Sequence, residues 1–131
     1  MSLVALVVDD SALIRHMVRR SLEERGLAVE CATNGREALE VLTRVRPNVI
    51  ITDLQMPDMN GSELITALKK KPETVGIPVV ILTSHQGQGT SAEKRANFAI
   101  YKGIDIDSQL AKALRLILGK QYVKKSASDK K

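Results

Sequence analysis

Apolar residues form three unbroken runs along the chain, at residues 3–8, 49–51 and 79–82. Runs of this kind are typical of strands that are buried on both faces of a parallel sheet. A largely apolar segment at 27–32 and a short apolar run at 98–101 have the same character. The pattern therefore predicts five strands.

Between the first two predicted strands, apolar residues recur at helical spacing. Ile14, Val18 and Leu22 stand four residues apart, which places them on one face of a helix. Gly26 favours the end of that helix, because glycine readily adopts the left-handed conformation that follows a last turn. We expect a helix over 11–25 that packs this face on the sheet.

Two further helices begin with the sequence of a capping box. In this motif a polar N-cap residue is followed three positions later by Glu, and each side chain binds a backbone N–H of the other residue. Asn34 and Glu37 precede a predicted helix over 35–45, and Asn60 and Glu63 precede the next one.

The last third of the chain predicts a short helix, a strand and a longer helix. Thr90 and Glu93 form another capping box, but the strand at 98–101 follows so soon that this fourth helix must be short. We expect a mobile loop over 86–89, which contains two glycines, and expect Asp107 to cap the last helix. Strands that alternate with helices predict an α/β fold, a doubly wound (βα)5 parallel sheet of five strands.

The composition narrows the setting of this fold. With 131 residues, 44% of them apolar, the chain is long enough for one domain with its own core. Its single cysteine, Cys31, cannot form an internal disulfide and is expected to be a small buried residue, which indicates a reducing, cytoplasmic environment. No segment approaches the roughly 20 apolar residues of a membrane helix, and the N-terminus lacks the basic region of a signal peptide. We therefore expect a soluble protein with no membrane partner.

The net charge of +5 changes this picture little. Much of the charge lies in the segment 120–131, whose composition is that of a disordered tail or the start of a linker. Aromatic residues make up only 2% of the chain, so few side chains are available to stack on bases. We expect a domain over 1–119 that does not itself bind nucleic acid.

Polar and charged side chains collect where the predicted strands end. Asp9 and Asp10 follow the first strand, Asp53 ends the third, Thr83 ends the fourth and Lys102 follows the fifth. In an open parallel sheet these ends share the edge at which ligands bind. Neighbouring carboxylates repel one another unless a cation intervenes, and Mg²⁺ suits such a set better than Ca²⁺ because it takes one or two carboxylates plus phosphate oxygens. The lysine adds a second positive charge, so we expect the crevice to receive an anion.

The segment 53–61, DLQMPDMNG, resembles the phosphorylation-site motif of response-regulator receiver domains of the chemotaxis type. The acidic pair, the threonine and the lysine at the other strand ends stand in the order of that family. The resemblance covers about residues 3–119. It implies the flavodoxin-like receiver fold and a place in a two-component phosphorelay.

By this resemblance, Asp53 takes a phosphoryl group from a sensor histidine kinase or a histidine phosphotransferase and becomes an acyl phosphate. Lys102 is expected to neutralise one phosphoryl oxygen, and the hydroxyl of Thr83 is expected to bind another. Ser84 and His85 follow that threonine and are candidate modulators of water attack on the phosphoryl group. Such a domain is not an enzyme beyond taking the phosphoryl group from its donor and later losing it.

The resemblance also implies a set of Mg²⁺ ligands. Asp10, Asp53 and the backbone carbonyl of Gln55 are expected to hold the ion, with Asp9 acting through water. Without the resemblance, Asp10 has a simpler alternative as the cap of the first helix. His16 forms no credible metal pair with the second histidine, and we expect it to face solvent.

Two positions and one segment depart from the family pattern. Gly103 follows the lysine, where receivers usually have a proline in a cis peptide, and glycine leaves the backbone freer there. Ala99 stands where the family often has a Tyr or Phe that swings inward with the threonine, and Tyr101 has the same strand parity but lies nearer to the site. The segment 84–101 is a few residues shorter than is typical, which predicts an altered output face.

The leading hypothesis is a phosphorylation-gated signalling module. Phosphorylation would shift a two-state equilibrium and change the surface of the fourth helix, fifth strand and fifth helix. By the resemblance, the first helix is the expected docking face for the kinase, with Ile14, Arg15 and Met17. No residue identifies the output partner or decides whether the chain forms a homodimer through its last helix.

Three alternatives belong to other classes. A pseudo-receiver would keep the fold and bind partners without being phosphorylated. A Mg²⁺-dependent phosphohydrolase of the haloacid-dehalogenase type also uses an aspartyl nucleophile, but it has Asp-x-Asp after the first strand, whereas Asp9 and Asp10 are adjacent. A flavodoxin-like cofactor binder would have a hydroxyl-rich phosphate loop where this chain has acids.

Overall fold

The computed structural model describes residues 3–84, 93–103 and 105–119. Within these residues the chain alternates between strands and helices in the order β1, α1, β2, α2, β3, α3, β4, β5, α4. The strands are β1 Val4–Val8, β2 Ala28–Ala32, β3 Val49–Asp53, β4 Val79–Thr83 and β5 Phe98–Tyr101, and the helices are α1 Ala12–Glu24, α2 Gly35–Val41, α3 Gly61–Lys69 and α4 Ile106–Leu118.

The five strands form one sheet in the order β2-β1-β3-β4-β5. Every neighbouring pair is parallel. All residues of β3 and β4 are buried, which explains their continuous apolar sequences. The predicted doubly wound, flavodoxin-like α/β sheet is confirmed, and its central strands are β1, β3 and β4.

The helices cover both faces of the sheet with aliphatic cores. Residues of α1 and α4, including Val18, Leu22 and Leu114, pack with Val7 and Ile51 on one face. Residues of α2 and α3 pack on the other face. That second core includes the following side chains: Ala38, Val41, Leu64, Ile65, Leu68, Leu6, Ile50 and Ile81. The sheet is thereby closed on both faces, which leaves its edges and strand ends as the places where polar groups meet.

The helix starts agree largely with the capping signals. Asn60 and Glu63 form the predicted capping box at α3. At α2, Asn34 accepts the N–H of Glu37, but the carboxylate of Glu37 binds the backbone of Thr33, so only half of the predicted box forms.

The predicted cap of the last helix was wrong. Asp105, not Asp107, is the N-cap of α4, and its carboxylate accepts the backbone N–H of Ser108. Asp107 lies in the first turn, where the guanidinium of Arg25, the C-cap residue of α1, binds its carboxylate at 2.8 Å and the hydroxyl of Ser21 on α1 donates to it. The ion pair at the end of α1 occupies the carboxylate of Asp107, which sequence spacing alone predicted as the cap of α4.

The predicted fourth helix is not found in the part of it that the structure describes. Residues 93–97 form turns before β5 and contain no helix. Thr90 and the predicted mobile loop at 86–89 lie outside the described residues, as do His85 and the segment 120–131. The described residues therefore carry four helices where the sequence pattern predicted five.

Cys31 is less buried than we predicted. It lies on β2, an edge strand of the sheet, and stays partly exposed. Its partial burial raises the pKa of the thiol, although the nearby guanidinium of Arg19 works against that shift. His16 is exposed, as expected. In the described part of the chain, no helix is long and apolar enough to cross a bilayer.

Candidate functional site

The carboxyl ends of four strands bring the predicted site residues together. Asp9 directly follows β1, Asp53 is the last residue of β3, Thr83 is the last of β4 and Lys102 follows β5. The parallel register places these ends at one edge of the sheet. The middles of these parallel strands are apolar, so their polar groups lie together at this edge.

Lys102 joins two of the carboxylates. Its Nζ lies 3.0 Å from Oδ2 of Asp9 and 3.2 Å from Oδ2 of Asp53. The Asp9 side chain is fully buried and that of Asp53 nearly so, while the Lys102 side chain is 17% exposed. A cation that contacts two buried carboxylates offsets much of the cost of removing them from water.

The backbone around Asp9 is held in place from several directions. The N–H of Ser11 donates to Oδ1 of Asp9 at 2.8 Å, and the guanidinium of Arg15 donates to its backbone carbonyl, also at 2.8 Å. The N–H of Asp9 donates to the carbonyl of Ala32 on β2. Ser11 is also the N-cap of α1. Asp10 therefore does not cap this helix, and its side chain is exposed at the mouth of the site.

Asp9, Asp10 and Asp53 form a cluster of acids. One carboxylate oxygen from each lies within 4.8 Å of the others. A compact set of carboxylate oxygens is the donor chemistry that hard divalent cations prefer. Gln55 lies beside this set, and its backbone N–H donates to Oδ1 of Asp53 at 3.3 Å. The residues present fit Mg²⁺.

The electrostatics of the site follow from burial and from this excess of acids. Burial raises the pKa of Asp53, the charge of Asp9 raises it further, and Lys102 only partly opposes both. For Lys102, burial alone would favour the neutral amine. The hydrogen bond to Asp9 and the charge of Asp53 outweigh burial, and the pKa of the lysine is raised. Lys102 is therefore charged, and the acids retain an unbalanced negative charge that attracts a further cation.

Thr83 and Ser84 line the site from β4. The backbone N–H of Lys102 donates to the carbonyl of Thr83 at 2.9 Å, so the lysine and the threonine share one backbone contact. Thr83 is buried and Ser84, the next residue, is exposed. His85 was predicted beside them and lies outside the described residues.

The loop after Asp53 is shaped by close backbone packing. The N–H of Gly61 donates to the carbonyl of Leu54, and a Cβ added to Gly61 would lie 2.4 Å from the backbone oxygen of Asp53. Asp58 has a φ of 62°, a left-handed conformation that Asp tolerates better than most residues. Only glycine fits at position 61, and the tight return of the chain there holds Asp53 beside the start of α3.

Gly103 and Ala99 are the two residues near the lysine that depart from the family pattern, and the structure explains the first of them. A Cβ added to Gly103 would lie 2.5 Å from ring atoms of Tyr101, so the ring occupies the space that a side chain would need. The Lys102–Gly103 peptide is trans, as are the others in the described residues. Ala99 packs partly buried against the core under α2 and α3.

Two contacts to the site were missed by sequence reasoning. Arg15 was expected only as a docking residue, yet it binds the carbonyl of Asp9. Gln109 was not singled out, yet its side-chain amide binds both backbone polar groups of Tyr101, next to the lysine. Asp9 and Arg15 are six residues apart, one short of two helical turns, and this spacing was a usable signal of their contact. The contact between Gln109 and Tyr101 depends on how α4 packs against β5.

The whole arrangement is that of a receiver domain. The family model of the response regulator receiver domain matches residues 5–115, and the chain belongs to this family. It is a receiver domain of the response regulators of two-component systems.

Two curated relatives are similar to this chain in sequence. The chain is 48% identical over 86 residues to a protein-glutamate methylesterase/protein-glutamine glutaminase of Treponema denticola, a match that covers 64% of this chain and 23% of that protein. It is 35% identical over 103 residues to an uncharacterised 14.6 kDa protein of Leptolyngbya boryana, covering 78% of this chain and 79% of that one. The chain spans about a quarter of the methylesterase.

Solved structures confirm the fold. The chemotaxis response regulator CheY4 of Vibrio cholerae is 31% identical, with a TM-score of 0.80, over 89% of this chain and 99% of that structure. The predicted family and the predicted flavodoxin-like receiver fold are both confirmed.

Proposed function

We propose that this receiver domain is a phosphoacceptor in a two-component phosphorelay and that Asp53 is the acceptor. The observation that carries the proposal is the ammonium of Lys102, which lies between the carboxylates of Asp9 and Asp53 at the strand ends. Of the three clustered acids, Asp53 alone ends a central strand, directly before the loop 54–60. A carboxylate beside a fixed cation is suited to bind a group that brings its own negative charge.

The proposed transfer moves one phosphoryl group. A carboxylate oxygen of Asp53 attacks the phosphorus, the bond from phosphorus to the donor's nitrogen or oxygen breaks, and the donor keeps that electron pair. Lys102 would then neutralise a phosphoryl oxygen, and the hydroxyl of Thr83 would donate a hydrogen bond to another. Ser84 and His85 would influence how water later attacks the acyl phosphate.

The acidic cluster supports a proposal of Mg²⁺ as the cofactor. Asp10, Asp53 and the backbone carbonyl of Gln55 would hold the ion, and Asp9 would act on it through water. When bound, Mg²⁺ supplies positive charge that balances the carboxylates and the phosphoryl oxygens. The pKa of Asp53 is raised chiefly by burial and then by the charge of Asp9, and a bound cation would oppose both effects.

The first helix is the proposed docking face for a histidine kinase or histidine phosphotransferase. Leu13 and Met17 expose 67% and 43% of their surface on this helix. The surface of β5 and the last helix would carry the phosphorylation-dependent change to an output partner, and a homodimer through the last helix stays a prediction. The domain bounds of 1–119, the cytoplasmic location and the absence of direct nucleic-acid binding also remain predictions.

Two other functions remain to be separated from this one. A pseudo-receiver would bind partners without phosphorylation, and Gly103 and Ala99 favour it because neither residue matches the family pattern around the lysine. A phosphohydrolase would turn over phosphate esters continuously. We propose that the domain is not an enzyme of that kind and only takes up and loses its own phosphoryl group.

The test is the intact mass of the protein after incubation with acetyl phosphate, with and without Mg²⁺. We expect the wild type to gain one phosphoryl group only with Mg²⁺, and Asp53→Asn to gain none. Asp58→Asn is the matched control, because Asp58 is an exposed acid on the same loop and Asn also tolerates its left-handed backbone. The control should be phosphorylated like the wild type.

The contrary outcomes are specific. If the wild type gains no mass, beryllofluoride, which mimics a phosphoryl group on a carboxylate, decides between a short-lived acyl phosphate and a pseudo-receiver. No Mg²⁺-dependent binding of beryllofluoride would overturn the phosphoacceptor proposal. Steady release of product from a small phosphate ester that Asp53→Asn abolishes would instead favour the phosphohydrolase.

A further inference from the structure

The lysine of the site stands where the backbone has little support of its own. Lys102 comes directly after β5, which is an edge strand of the sheet. One neighbour, Gly103, adds no side chain to hold the chain, and glycine is the residue with the greatest backbone freedom. On the sheet side, the N–H of Lys102 donates to Thr83 of β4. Among the described residues, no strand pairs with the outer side of β5.

Gln109 supplies the missing partner on that outer side. Its Oε1 accepts the backbone N–H of Tyr101 at 2.9 Å, and its Nε2 donates to the backbone carbonyl of Tyr101 at 2.8 Å. A neighbouring strand would offer one residue of an edge strand the same pair of bonds, one accepted and one donated. The amide side chain thus closes the edge of β5 at its last residue.

Gln109 is itself held by a well-anchored helix. It lies in the first turn of α4, where Asp105 is the N-cap and accepts the N–H of Ser108. Ile106 and Leu110, on either side in the helix, are buried in the core. The helix therefore presents the amide to Tyr101 from a fixed position.

The clamp on Tyr101 limits where the ammonium of Lys102 can reach. Tyr101 is joined to the lysine by one peptide bond, and its ring fills the space beside Gly103. With Tyr101 fixed by Gln109 and the lysine N–H fixed by Thr83, the lysine side chain starts from one defined point. From that point its Nζ contacts both Asp9 and Asp53.

We propose that Gln109 is a positioning residue, which clamps the backbone of Tyr101 and so holds Lys102 between Asp9 and Asp53. It acts through the lysine and does not touch the reacting atoms. The effect on phosphorylation rests on the proposed function, whereas the effect on the lysine does not.

The test compares Gln109→Met with Ser108→Ala on the same turn. Gln109→Met keeps the length of the side chain and removes both hydrogen bonds to Tyr101, together with a longer one to the carbonyl of Asp105. The hydroxyl of Ser108 binds Asp105 and does not contact Tyr101 in any described bond, so its loss weakens the helix start alone. We expect Gln109→Met to slow phosphorylation by acetyl phosphate roughly tenfold, because small displacements of a charge-stabilising group cost large factors in rate. Its affinity for Mg²⁺, followed by NMR, should stay within about twofold of the wild type. Ser108→Ala should match the wild type in both.

A double-variant cycle tests whether Gln109 acts through the lysine. In a Lys102→Met background, Gln109→Met should cause no further loss of rate, since the group that it positions is absent. An equal loss in both backgrounds would overturn the proposal, as would a wild-type rate for Gln109→Met alone.

A second readout does not depend on phosphorylation. Lysine-selective ¹H–¹⁵N NMR should show a distinct Nζ resonance for Lys102, identified by its loss in Lys102→Met. Gln109→Met should move this resonance toward those of solvent-exposed lysines, and Ser108→Ala should leave it in place. If the wild type takes no phosphoryl group but the resonance moves in this way, the proposed function fails and the positioning role stands. An unmoved resonance would overturn the positioning role whatever the phosphorylation result.

Discussion

The guanidinium of Arg15 donates a hydrogen bond of 2.8 Å to the backbone carbonyl of Asp9. This bond ties the first turn of α1 to the residue that follows β1, and Asp9 in turn contacts the ammonium of Lys102. The helix proposed as the docking face is thereby joined directly to the acidic cluster. Its first two turns contribute to the site as well as to the surface.

We expect Arg15→Met to lower the free energy of unfolding by about 1 kcal/mol, because the carbonyl of the buried Asp9 loses its charged partner. Arg19→Met is the matched control on the same helix, since Arg19 forms an exposed ion pair with Glu23, lies near the thiol of Cys31 and makes no described bond to Asp9. The control should change stability much less, because solvent screens an exposed ion pair. Urea denaturation measures both, and equal losses in the two variants would show that the bond to Asp9 contributes nothing particular.

Three glycines provide a graded test of the packing around the site. Gly61→Ala should cost more than about 2 kcal/mol, because the new Cβ meets the backbone oxygen of Asp53, which cannot move away. Gly103→Ala should cost less, because the Tyr101 ring that it meets can rotate. Gly76→Ala, where nothing lies within 4 Å, should be neutral or slightly stabilising.

Thermal unfolding of the three variants checks this order. NMR signals of the Tyr101 ring should shift in Gly103→Ala and stay unchanged in Gly76→Ala. If Gly103→Ala proved as harmless as Gly76→Ala, with the ring signals unmoved, the contact between Tyr101 and Gly103 would be wrong.

The sequence predicted the strands and their ends well because the signals are local. An unbroken apolar run such as Val79–Leu82 is stable in a parallel sheet only as a central, buried strand. The polar residue that follows it must then lie at the carboxyl end of that strand. The placement of Asp53, Thr83 and Lys102 followed from that. The capping box at Asn60 and Glu63 was equally local and is confirmed.

Two of the contacts that the sequence did not predict depend on long-range packing. Asp107 is not the predicted cap because Arg25, which is 82 residues away in sequence, binds its carboxylate. Gln109 reaches Tyr101 only after α4 has packed on the sheet. The predicted helix at Thr90 rested on a capping signal whose Glu93 is instead bound by Arg95. Arg25 and Gln109 act across the fold, whereas Glu93 pairs with Arg95 only two residues away, so in that segment one local contact replaced another.

Mg²⁺ should stabilise this domain by binding the cluster of Asp9, Asp10 and Asp53. At ten times its dissociation constant, a ligand that binds only the folded state adds about 1.4 kcal/mol. We expect Mg²⁺ to raise the melting temperature of the wild type and EDTA to reverse the gain. Asp10→Asn should lose most of the gain, whereas Asp58→Asn, which changes an acid outside the cluster, should keep it. Equal gains in all three proteins would place the ion elsewhere.

Glu93 and Arg95 fix the segment before β5 to α3. The carboxylate of Glu93 binds the guanidinium of Arg95 at 2.8 and 2.9 Å, and Arg95 also contacts Thr66 and the carbonyl of Ser62. The bond to Arg95 lowers the pKa of Glu93 to about 2, against the opposing effect of burial. The ion pair therefore forms where the predicted fourth helix would have begun.

The Glu93–Arg95 ion pair should make the stability of the domain depend measurably on pH. Because the folded-state pKa of Glu93 is depressed, its contribution is complete above its ordinary pKa of 4.5 and is lost as the pH falls from there toward about 2. We expect that contribution to be on the order of 1–2 kcal/mol, since Arg95 stays partly exposed and solvent screens the pair.

Urea denaturation between pH 7 and pH 3 measures this contribution in the wild type, Glu93→Gln and Glu73→Gln. Glu93→Gln should be less stable at pH 7, and its deficit should shrink as the pH falls, because the wild-type carboxylate is then losing its charge too. Glu73 is an exposed acid of the α3–β4 connection, so its variant should follow the wild-type curve. A constant deficit for Glu93→Gln at every pH would mean that shape and hydrogen bonding, and not the charge of Glu93, hold the segment to α3.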